Sequence, residues 1–85
     1  MTPIQERGRA RLIMRLPGWR AQFERASGPS FLDVCEDYEE GWVALERWSK
    51  SEKQTSSGMV AEYRELVALL ELDAKLYATS SEVAR

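Results

Sequence analysis

Apolar residues recur at spacings of three and four through most of this chain, and the recurrences define its elements. Phe31, Val34, Cys35, Tyr38, Trp42 and Leu45 fall within about 100° of one another on a helical wheel, a seam that faces a neighbouring helix. Ser30 stands before them as N-cap, and Asp33 three residues on completes a capping-box-like start. The pattern predicts a helix over 30–50. Met59, Val60, Tyr63, Leu66, Val67, Leu70, Ala74 and Tyr77 line the broad face of another, over 58–78, with Ser57 as its N-cap. The stretch from Ser51 to Gly58 reads as a polar loop, so the two long helices fold back on each other antiparallel.

Ahead of this hairpin the signals are shorter. Thr2 suits an N-cap and Pro3 the first helical position, and the residue before Pro17 resists helical geometry. A helix over 3–15 follows, weakened by Gly8 in its interior. A second short helix spans 17–26, with Trp19 and Phe23 one turn apart, and Ser27-Gly28-Pro29 ends it. The last residues, 79–85, read as a frayed tail. The expected fold is therefore all-α: one domain over 1–85, an antiparallel helical hairpin preceded by one or two short helices in the basic segment 1–26, with two hairpins assembling into a helical bundle.

Composition narrows the class. Hydrophobic residues make up 44% and charged residues 31%, a globular balance and not a disordered one. A chain of 85 residues buries only about 60–65% of its unfolded surface, so pairing with a second chain adds stability that its own core lacks. No apolar run approaches the roughly 18 residues of a membrane span. The first 25 residues lack the apolar stretch and cleavage site of a secretory signal. A single cysteine cannot form an internal disulfide, which suits a reducing cytoplasm.

The net charge of −2 hides a polar arrangement. Residues 1–25 hold six arginines against two glutamates, whereas residues 26–85 hold six basic side chains against twelve acidic ones. Arg7, Arg11 and Arg15 repeat every four residues and form one ridge, whose planar donor forks suit carboxylates and phosphates. Two acidic helices argue against nucleic acid, and the modest apolar area of the first helix argues against a membrane surface. The ridge is expected to pair with the acidic hairpin or with an anionic partner. Asp73, between two apolar stripes, is the candidate acid for it.

Three leucines form the second of those stripes. Leu69, Leu72 and Leu76 sit roughly 100° around the last helix from its main seam, and one hairpin cannot bury both. Residues 4–26, a second copy or another protein must cover them. Gly41 and Trp48 share the equivalent flank of the preceding helix, where a glycine marks a close approach and an indole offers contact area. These five residues, with Asp73, are the candidate partner or oligomer interface.

Enzymatic chemistry finds no footing. Glu36, Asp37, Glu39 and Glu40 spread over the polar side and read as a solvated face, and without histidine no helical two-metal site can be assembled. Cys35 lies in the apolar seam without a base to make it a thiolate. No cofactor is expected. The sequence points to a non-enzymatic protein–protein interaction module, an adaptor or regulator that forms a homodimer. The alternative is a regulator whose arginine-rich segment binds nucleic acid or an anionic membrane. A polyanion mimic is disfavoured by an ordinary charge density.

Overall fold

The structure, a computed structural model, describes residues 1–51 and 56–79. These residues form four α-helices, α1 (Pro3–Arg15), α2 (Arg20–Arg25), α3 (Pro29–Ser49) and α4 (Ser56–Ala78), with a 3₁₀ turn over Pro17–Trp19. Helices α3 and α4 pack along each other as the expected hairpin, and α1 lies chiefly on α3. A helix of 23 residues is about 35 Å long. That length sets the elongated shape, 47 × 22 × 20 Å.

Each N-terminus has a local cause. The Thr2 hydroxyl accepts from the Gln5 amide at 3.2 Å, while Gln5 Oε1 accepts from the Thr2 amide at 3.0 Å. This reciprocal capping box and Pro3 in the first turn start α1. Helix α3 begins earlier than the sequence predicts. Gly28 is its N-cap and Pro29 its first residue, so Ser30 lies inside the helix and does not cap it. Proline wins because its fixed φ is already helical and its missing N–H falls among amides without a helical partner. Helix α4 likewise starts at Ser56, which places Ser57 and Gly58 within it and shortens the expected loop. The rest of that loop, 52–55, and the tail residues 80–85 lie outside the described residues.

The core is built at one end of the hairpin. Leu12, Phe23, Phe31, Cys35 and Tyr38 are fully buried, joined by Ala26, Val34, Leu45, Val67, Leu70 and Ala74. Phe23 stacks between Trp19 at 6.0 Å and Phe31 at 5.8 Å, so the aromatic pair predicted for the second short helix becomes a ladder onto α3.

Two glycines exchange the roles expected of them. Gly8 is the close approach. It is buried against α3, and a Cβ built there would collide with the Cys35 carbonyl. Gly41 meets only ordinary contacts, with Leu66 Cδ2 at 3.9 Å and Leu70 Cδ1 at 4.0 Å from an added Cβ. Backbone is the obstacle at Gly8 and side-chain tips are the neighbours at Gly41. Gly8→Ala should therefore destabilise the chain by about 2 kcal/mol or more, through overpacking. Gly41→Ala should be neutral or gain up to about 1 kcal/mol of helix propensity. Urea denaturation of the two variants beside wild type checks both signs.

Candidate functional site

The arginine ridge of α1 lies against acids of the hairpin, but not the one expected. Arg7 Nε donates to Glu39 Oε2 at 3.3 Å, and Arg11 Nε donates to the other oxygen of the same carboxylate. Arg11 Nη2 reaches Glu46 at 3.2 Å, and Arg15 Nε lies 3.5 Å from Glu71 Oε2. Asp73 is exposed and pairs with none of them. The correction has a geometric reason. Helix α3 has two neighbours, and Glu39 shares the α1-facing side with Cys35 and Trp42. Glu39 is accordingly 6% exposed and does not belong to a solvated face.

Around this clamp lies a polar network. The Tyr38 hydroxyl donates to Glu71 Oε2 at 2.6 Å, and the guanidiniums of Arg11 and Arg15 stand 6.0 and 5.6 Å over the Trp42 ring. Burial, then the bond to Glu71, pushes the Tyr38 phenol up to about 12. The Trp42 indole N–H pulls the phenol the other way, and is itself buried without a hydrogen-bond partner. For Arg11, burial lowers the pKa but the carboxylates of Glu39 and Glu46 outweigh it, and the net direction is up. Burial also pushes the Cys35 thiol up to about 12, which leaves it an inert core group.

The leucine stripe is bare. Leu69, Leu72 and Leu76 are 53%, 60% and 61% exposed. Residues 4–26 dock within the chain, yet on α3 and on the inner side of α4, where Lys75 stands 5.7 Å over the Trp19 ring. They do not cover the leucines. With Val67, Leu70 and Ala74 marking the buried side, the stripe lies roughly 160° away on the wheel, on the outer face. The expected angle of roughly 100° reaches only the near edge of the seam, where Leu66 is itself 40% exposed.

Gly41 and Trp48 do not join this surface. Gly41 is buried between the hairpin helices, and Trp48 is half-buried beside Val60, Ala61 and Arg64 near the loop end. Asp73 does lie beside the leucines, with Glu62 nearby on the same exposed side.

A groove of about 460 Å³ opens between α3 and α4 where α1 ends. Its apolar lining is Trp42, Leu45, Val67 and Ala68. Arg15, Lys50 and Arg64 bring cations to it, and Glu46 and Glu71 bring acids that already hold Arg11 and Arg15. Sequence reasoning missed this groove. Its residues come from two helices, and only the point where α1 stops leaves them open. Among the described residues no three ligating side chains gather for a metal ion, and no helix is long and apolar enough to cross a membrane.

Two expectations follow from the clamp. Glu39→Gln keeps the shape but removes the charge that two guanidiniums share, and should cost about 1–3 kcal/mol in urea denaturation. Glu62→Gln, on the outer face, should stay within about 0.5 kcal/mol of wild type. For Tyr38 the folded chain favours the neutral phenol, so this contribution is complete below the ordinary tyrosine value of 10 and is lost as pH rises through about 12. Cys35 adds a loss in the same direction that begins near 9. Stability measured from pH 8 to 12 should thus fall at the alkaline end, with a shallower fall in Tyr38→Phe.

Comparison with protein-family models, curated proteins and solved structures yields no match.

Proposed function

We propose that this chain is a non-enzymatic helical interaction module that associates with further copies of itself through the outer face of α4. One observation carries the reading: Leu69, Leu72 and Leu76 stay more than half exposed after the N-terminal segment has docked. Single exposed leucines are ordinary on protein surfaces. Three in register on one helix form a contiguous apolar strip, the kind of surface that marks a contact between chains.

Other features support a contact role over a chemical one. The chain has no histidine, and its one cysteine is buried with its thiol held neutral. A buried free thiol suits a reducing compartment, and we place the protein in the cytoplasm on that ground. The alternative, an arginine ridge that grips nucleic acid or an anionic membrane, is weakened because Glu39, Glu46 and Glu71 already engage Arg7, Arg11 and Arg15.

Light scattering over a concentration series tests the reading. Wild type should exceed single-chain mass, and Leu72→Arg, which sets a cation in the middle of the strip, should return it to single-chain mass with its helical signal intact. Wild-type protein that stays at single-chain mass at every concentration would sink it.

A further inference from the structure

We infer that the leucine face of α4 on one copy seats in the Trp42 groove of a second copy, a contact between two different surfaces of the same chain. The inference rests on the self-association reading above and names the surface that receives the leucines.

Leucine against leucine is a poor solution. Such a pairing brings like charges together. Glu62, Glu65 and Asp73 lie in or beside the strip, and among the described residues no cation pairs with them. Two copies packed strip to strip would gather the carboxylates of both chains at one contact.

The groove removes this conflict. Its apolar lining, Trp42, Leu45, Val67 and Ala68, offers the leucines a second apolar wall in addition to their own helix. Lys50 and Arg64 are exposed beside it, and among the described residues neither has an ion pair. Their charge is the complement of the acidic strip. The acids in the groove are already committed, Glu46 to Arg11 and Glu71 to Arg15 and Tyr38, so they add little repulsion. A helix laid there would continue the third layer that α1 supplies only as far as Arg15. The outer face of α4 is the one exposed helix face described in this chain that joins a leucine strip to unpaired carboxylates.

Mixing of two full-length variants tests this. Leu72→Arg spoils the strip and leaves the groove intact; Lys50→Glu with Arg64→Glu reverses the groove and leaves the strip intact. All three positions are exposed, and circular dichroism checks that both variants fold. Expected in sedimentation or light scattering is self-association of wild type, loss of at least about tenfold in affinity for each variant alone, and a 1:1 heterodimer when the two are mixed. Added salt should weaken the wild-type contact. If the groove variant associates as wild type does, or the mixture stays at single-chain mass while wild type associates, the groove is not the acceptor and self-association stands without it. If wild type never exceeds single-chain mass, the self-association reading fails and takes this inference with it.

Discussion

At Gly8 the backbone of α1 rests against the Cys35 carbonyl of α3, and no other residue type fits between them. A glycine inside a helix forgoes about 1 kcal/mol relative to alanine. What it allows here is proximity. With the two backbones this near, Leu12 enters the core beside Phe31 and Cys35, and the guanidiniums of Arg7, just before the glycine, and Arg11, nearly a turn after it, reach the buried carboxylate of Glu39. The same approach commits α1 to α3. The turn at Pro17 then carries Trp19 and Phe23 onto Phe31, and nothing of the N-terminal segment is left to lie over the outer face of α4.

The charge pattern along the chain takes on a spatial meaning once this contact is made. Every ion pair among the described residues uses an arginine of the N-terminal segment, and four of the five carry it to α3 or α4. A carboxylate as buried as Glu39 would be costly to desolvate alone, and two arginines meet that requirement. The excess of acid in the second half of the sequence is therefore neutralised only on the side that α1 covers. Glu62, Glu65 and Asp73, on the far side, keep their charge beside bare leucines.

Helix type and the hairpin were legible because periodicity reports burial directly. The boundaries of α1 followed from Thr2, Pro3 and Pro17, whereas the N-cap of α3 lies two residues before Ser30, because Gly28-Pro29 looked like a break and acted as a start. Helix identity was readable, whereas the number of neighbours each helix has was not. A seam drawn for one partner assigned Glu39 to solvent, and the second partner buried it. Glycine was a similar case: Gly8 and Gly41 look alike in sequence, and only the packed backbone of Cys35 distinguishes a required glycine from a tolerated one. The leucine strip was visible as an excess of apolar positions, and what the fold added is that the excess stays uncovered.

Docking in cis and association in trans are two parts of one packing problem. Two long helices need a third layer along their whole length, and α1 with α2 is too short to supply it. The layer is complete where Leu12 and Phe23 sit and ends at Arg15, beyond which Trp42, Leu45, Val67 and Ala68 line an open groove. A chain of this size holds a small margin of stability, and any contact made only by the folded form adds to it by mass action. The gain is largest where the core is thinnest. On the proposed contact, the exposed leucines of one copy complete the unfinished layer of the next, so the two departures from a self-sufficient fold, a bare strip and an open groove, have a single physical cause.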